Sequence, residues 1–193
     1  MADPFTFRIL LRDHAPGFGP PRPLLMAQLA WLASQVCRAP NHFRDALVEF
    51  LPAPAAPGAL AAHEPVVHLL RDRMASLVHR RVPDQFRGVD GDTLGLTAIG
   101  AGTTLSEVYL AQEWHAEPLA LAMSILHEAM HAKLQMGEAM HGLAAHRGGL
   151  LADNTPPLTA QQRRRRLALP FTATDIAMLA PALPAPLDQV SGL

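Results

Sequence analysis

The pattern of hydrophobic and polar positions divides the chain into predicted strands and helices. Apolar and polar side chains alternate over residues 5–11, which is typical of a half-buried strand. Over 24–38 the apolar side chains recur at helical spacing, and Pro40 stops that run. Further helices are predicted over 41–50, over 64–82 and, near the C-terminal end, over a short segment that ends at Leu179.

The pattern changes after residue 92. Two strands are predicted over 94–99 and 106–110, separated by a tight turn that contains glycine. Pro118 then opens a strongly apolar helix over 119–136, which is expected to be the central element of the fold. We therefore predict one α+β domain over residues 1–193. Its three parts are an N-terminal strand with helices (1–92), a core (93–150) and a C-terminal extension (151–193).

Composition and charge exclude several classes of protein. The chain has 193 residues, 49% of them hydrophobic, which is enough for one sizeable core. A net charge of -1 argues against a nucleic-acid partner bound through bulk charge. The single cysteine excludes an internal disulfide framework and a cysteine-based zinc ribbon. With no secretory signal and no membrane-spanning run, we expect a cytoplasmic protein without a membrane partner. If the protein is exported, we expect a route that does not depend on a signal peptide.

The one sharp motif is His127-Glu128-Ala129-Met130-His131. Positions i and i+4 lie one turn apart on the same side of a helix, so His127 and His131 can bind a single metal ion. Glu128 can then act as the general base toward a water activated by that ion. The motif lies in an apolar helix, where unpaired polar groups would be costly to bury. These features predict a catalytic metal site.

The motif, preceded by the predicted strand 106–110, resembles the active-site core of the zincin metallopeptidases. The resemblance covers about residues 93–150, and Ala132-Lys133-Leu134 is similar to the residues after the motif in SprT-like and related bacterial zincins. It implies an α+β fold in which a small mixed sheet packs on the motif helix, with additional N-terminal helices. It also implies that strand 106–110 is the sheet edge that binds an extended substrate. Tyr109 and Val108 on that strand become the candidate substrate-binding residues.

A catalytic zinc ion normally takes three protein ligands, so one ligand is missing from the motif. His146 is the first candidate, and its spacing from His131 resembles that of SprT-like proteins. His141 is the alternative, and a carboxylate, either Asp153 or Asp175, is the third possibility. Each of these requires the helix to break near Gly137, because an unbroken helix would carry the chain away from the ion.

The sequence supports three classes of function. The first is a zinc-dependent peptidase or amidase acting on a peptide or protein substrate. The second is a peptide hydroxylase with the same motif that uses Fe²⁺ and 2-oxoglutarate, because imidazole ligands bind iron as well as zinc. The third is a non-catalytic zincin scaffold that acts as a binding module. The sequence does not determine the oligomeric state.

Overall fold

The computed structural model describes residues 6–38, 43–51, 66–86, 89–100, 103–135 and 159–168, together with Asp175. In these ranges the chain forms a five-stranded sheet and four helices. The strands are β1 (Thr6–Asp13), β2 (Asp45–Phe50), β3 (Val66–Leu70), β4 (Gly95–Gly100) and β5 (Thr103–Tyr109). The helices are α1 (Arg22–Arg38), α2 (Leu77–Arg81), α3 (Pro118–Leu134) and α4 (Ala160–Ala168).

The strand order is β2-β1-β3-β5-β4. Neighbouring strands run parallel from β2 through β5, and only β4 runs antiparallel, paired with β5 from Gly95↔Val108 to Gly100↔Thr103. The parallel strands explain why β3 is buried at every position, because parallel sheets are usually covered on both faces. The sheet is therefore mixed and mostly parallel, with one antiparallel strand at its end.

Helices cover the two faces of the sheet unequally. The main core lies on the face that carries α1 and α3, where alternate residues of β1 (Phe7, Ile9 and Leu11) are buried. On the opposite face, α2 contributes Val78 to a much smaller cluster with Ala98 and Leu105. The face that carries α1 and α3 thus holds most of the apolar contacts, whereas the opposite face combines a smaller apolar cluster with polar side chains such as His68 and Glu107.

The structure confirms the α+β class and several predicted elements. The strand predicted over 5–11 is β1, and the helices predicted over 24–38 and 119–136 are α1 and α3. The strands predicted over 94–99 and 106–110 are β4 and β5. The predicted C-terminal helix ending at Leu179 lies, apart from Asp175, outside the described residues. In the described part of the chain, no helix combines the length and apolarity needed to cross a membrane.

Two predicted N-terminal helices are wrong. Residues 45–50, predicted to be helical, form the strand β2 alongside β1. The predicted helix 64–82 is instead the strand β3, then a turn around Arg73–Ala75, and then the five-residue helix α2. A short apolar run such as Val66–Leu70 fits a buried parallel strand as well as a buried helix, so periodicity did not separate them. Pairing with β1 and β5 selects the strand.

A buried histidine ties the start of α3 to the sheet. The His115 Nδ1 atom lies 2.7 Å from the Tyr109 carbonyl, and its Nε2 atom lies 2.8 Å from the Ser124 hydroxyl. Since a carbonyl only accepts, Nδ1 carries the proton and Nε2 accepts from Ser124. Burial lowers the pKa of His115 to about 4, although the hydrogen bond to Tyr109 acts in the other direction. The ring is therefore neutral in the folded protein at neutral pH.

This neutral ring predicts acid sensitivity. Between the folded-state pKa of about 4 and the usual 6.5, the unfolded chain binds more protons than the folded chain. Stability from the neutral ring is then fully present above about pH 6.5 and is lost as the pH falls toward 4. We expect His115 to account for a loss of about 2 kcal/mol in unfolding free energy between pH 7 and pH 5. Urea denaturation at pH 7 and at pH 5 measures this difference in unfolding free energy.

His115→Asn is the comparison, because asparagine keeps an N–H for the Tyr109 carbonyl and does not titrate. The variant should be less stable than the parent at pH 7 but should lose about 2 kcal/mol less on acidification to pH 5. An equal loss in both proteins would show that His115 does not carry the effect.

Candidate metal centre

The motif lies in the last two turns of α3. Pro118 occupies the first turn, and the helix ends at Leu134 because Gln135 adopts the left-handed conformation with φ 52°. The Gln135 Nε2 atom donates to the Thr104 hydroxyl at 3.1 Å, which fixes the helix end against β5. The helix α3 thus ends before Gly137. A downstream ligand can return to the motif only if the helix ends in this way. Gly137 itself lies outside the described residues.

The two motif histidines are arranged as a shared metal ion requires. Their Nε2 atoms lie 3.1 Å apart, with the rings at 78° to each other. Two nitrogens bound to one tetrahedral zinc ion at about 2.0–2.1 Å would lie about 3.3 Å apart. His131 is only 6% exposed and His127 is partly exposed, so the pair lies between the core and solvent. The donor set and its spacing therefore fit zinc.

The third ligand is not found among the described residues. No group of three or more His, Cys, Asp or Glu side chains in those ranges is placed to hold a metal ion. Asp175 is described and fully buried, but it does not form such a group with the histidine pair. His141, His146 and Asp153 lie outside the described ranges, so their predicted roles stay predictions.

Glu128 points from α3 toward β4. Its carboxylate is 6% exposed, and the Thr97 hydroxyl donates to its Oε2 atom at 2.6 Å. The Ser106 hydroxyl lies 2.8 Å from that of Thr97, so β5 supports the same contact through a second hydroxyl. The carboxylate is thus held by Thr97 on β4, whose hydroxyl is in turn supported by Ser106 on β5.

Gly95 makes room for this carboxylate. A Cβ atom at Gly95 would lie 2.8 Å from Glu128 Oε1 and 2.9 Å from the Glu107 carbonyl oxygen. Both distances are shorter than a carbon atom tolerates, so only glycine allows β4 to pass this close to α3. The sequence showed a glycine at this position but no signal that it faces Glu128, because the two residues are far apart in the chain.

The prediction that strand 106–110 is the edge of the sheet is wrong. The strand β5 is paired on both sides, with β3 and with β4, so no peptide can add to it. Val108 is fully buried in the main core and Tyr109 is 1% exposed, which leaves neither available to substrate. Among the described strands, β4 ends this side of the sheet and is paired with β5 alone.

Tyr109 also lies on the wrong face of the sheet for the predicted role. It alternates with Val108, which packs on the α1 and α3 face, so its side chain lies on the α2 face. There its hydroxyl donates to the Glu107 carboxylate, which also accepts from Ser76 and from backbone N–H groups at the start of α2. Burial, followed by Glu107, raises the pKa of Tyr109. Tyr109 therefore supports the fold.

The assembled centre contains a closely spaced histidine pair and a hydrogen-bonded carboxylate on one helix, beside the antiparallel end strand of the sheet. This set can bind a divalent ion and accept a proton at neighbouring positions. Comparison of the chain with family models, with curated proteins and with solved structures gave no match.

The close approach at Gly95 yields a mutational test. Gly95→Ala should force Glu128 or β4 to move and should lower the unfolding free energy by about 1–3 kcal/mol, the usual cost of overpacking. Gly91→Ala is the matched control, since a Cβ at Gly91 would have no atom within 4 Å. Thermal or urea denaturation of both variants measures the difference. Equal stability of the two variants would contradict the contact between β4 and Glu128.

Proposed function

We propose that this chain is a zinc-dependent hydrolase of peptide or amide bonds. The observation that carries the proposal is the 3.1 Å separation of the His127 and His131 Nε2 atoms beside the buried Glu128 carboxylate. Two histidines at this spacing fit one zinc ion, and a carboxylate that is hydrogen-bonded to Thr97 need not serve as a ligand. The resemblance of the motif to zincin metallopeptidases points to the same reaction.

His127 and His131 would hold the ion through their Nε2 atoms. When bound, zinc would polarise the scissile carbonyl and lower the pKa of a water molecule. The Thr97 hydroxyl donates to Oε2 of Glu128, and we assign the Glu128 carboxylate as the group that takes a proton from the attacking water. The same carboxylate then returns the proton to the leaving amine. Thr97 is a positioning residue, because it acts on the carboxylate and not on the substrate.

The substrate would lie along β4. This strand ends the sheet, and its outer edge has no paired strand among the described residues. An extended peptide can pair with such an edge through backbone hydrogen bonds. Gly95 brings β4 within contact distance of Glu128, so a peptide on this edge would pass close to the general base. A peptide bond in an extended segment is therefore the substrate class that this arrangement favours.

The first test separates proton transfer from metal binding. Glu128→Gln should keep the fold and the zinc content and should lower peptide hydrolysis at least about a hundredfold, because the amide cannot accept the proton. Zinc is measured by mass spectrometry and hydrolysis with a quenched fluorescent peptide library. Glu117→Gln is the control, because Glu117 lies exposed at the start of α3 without a side-chain capping bond.

Two results would overturn this assignment. Loss of zinc from Glu128→Gln would show that Glu128 is a ligand. Unchanged hydrolysis in a zinc-loaded variant would show that Glu128 is not the base. In addition, iron in protein purified without added metal, together with turnover of 2-oxoglutarate, would replace the hydrolase with a peptide hydroxylase.

The second test identifies the third ligand. We expect His146→Ala to lower zinc affinity at least about tenfold, because it removes one of three protein ligands, whereas His141→Ala should have a smaller effect. His79→Ala is the control, since His79 is exposed and stacks on Phe86 away from the motif. Competition with a chelating dye measures the affinity. If neither His146→Ala nor His141→Ala changes the affinity, the ligand is a carboxylate such as Asp153 or Asp175.

A further inference from the structure

A second group of chemically active side chains lies on the α2 face of the sheet, away from the motif. Phe7, Ile9 and Leu11 point into the main core, so Arg12 points to the opposite face. Arg12 is paired in register with His68 on β3. His14 follows β1, and its backbone N–H donates to the Leu69 carbonyl at 2.9 Å. Three basic side chains from two strands therefore meet at one place.

The two histidines are in direct contact. The Nε2 atom of His14 lies 2.9 Å from the Nδ1 atom of His68, and the rings stack with centroids 5.1 Å apart. His68 is 7% exposed, whereas His14 is exposed, so the pair extends from the interior to the surface. The short N···N distance requires one ring to donate and the other to accept, so at least one of the facing nitrogens carries no proton.

Positive charge surrounds this pair. Burial lowers the pKa of His68 to about 4, and His14, Arg12 and Arg81 lower it further. Burial, followed by Arg12, also lowers the pKa of His14, and Arg80 acts in the same direction. The buried Nε atom of Arg12 has no hydrogen-bond partner within the described ranges. The histidine pair thus lies in a region of positive charge.

The nearby carboxylates are occupied elsewhere. Asp13 raises the pKa of His14, but its carboxylate is 2.7 Å from Arg22 and accepts the Ala15 N–H. Glu107 is paired in register with His68, yet its two oxygens accept four hydrogen bonds from α2, its capping serine and Tyr109. Among the described residues, neither carboxylate forms an ion pair with Arg12 or with the arginines of α2.

We propose that Arg12, His14 and His68 form a binding site for a phosphate-type oxyanion on the α2 face. A phosphate group offers several acceptor oxygens to the Arg12 guanidinium and to an imidazole N–H, and a dianion offsets the surplus positive charge. A metal cation does not fit, because the neighbouring guanidinium groups repel it. In the described residues, moreover, no third metal ligand joins the two histidines. The site is independent of the proposed hydrolase centre.

The test uses isothermal titration calorimetry at constant ionic strength with inorganic phosphate and with O-phosphoserine. We expect saturable binding of one phosphate per chain. Binding of both ligands would show that the site accepts phosphate esters, and binding of inorganic phosphate alone would show a site for the free anion. Arg12→Gln and His14→Gln should each weaken binding at least about tenfold, because the first removes the guanidinium charge and the second removes the imidazole ring. His14 is exposed, so its variant tests the site even if Arg12→Gln fails to fold.

Arg8→Gln is the matched control, because Arg8 lies on the same face of β1 and pairs with Glu49 at 3.5 Å. It should bind phosphate like the parent. Sulfate, a dianion throughout the range, should bind more tightly at pH 6 than at pH 8, because protonation of the histidines is then favoured. Absence of saturable binding, equal binding by His14→Gln and the parent, or a divalent cation bound through His14 would overturn the proposal.

Discussion

Burial of α3 against the sheet and against α1 is the constraint on which the rest of the structure depends. Leu121, Ile125, Leu126 and Met130 are almost completely removed from solvent. Each contributes about 2 kcal/mol through burial of its side chain. Their sum exceeds the cost of enclosing a few polar groups that have partners, so the helix can carry Glu128 into the interior. The helix position then decides where the motif histidines emerge.

Polar groups enter this interior only with partners supplied by the strands. Thr97 and Ser106 hold the Glu128 end of α3, and His115 joins its first turns to β5 through Ser124. These contacts come from residues distant in sequence, and together they leave α3 little freedom to rotate about its axis. Fixed rotation matters for the candidate centre, because it determines which side chains face β4.

The two faces of the sheet also differ in chemistry, because α1 and α3 pack on only one of them. The apolar residues of α1 and α3 need a broad apolar surface, and the alternation of the parallel strands provides it on one side. The residues between them are forced to the other side, where the small helix α2 covers them incompletely. Arg12 and His68 meet there, and Glu107 and Tyr109 satisfy each other there. Strand alternation thus separates the candidate metal centre from the basic cluster.

The sequence by itself determined the mixed α and β content, α1, α3 and the motif at its end, because these depend on local periodicity and on i, i+4 spacing. Only the tertiary structure decided that Val66–Leu70 is a strand, since neighbouring strands satisfy its backbone. It also decided that β4, and not β5, ends the sheet, and that Gly95 makes room for Glu128. Strand order and close approach arise from contacts between distant segments, which no local pattern records.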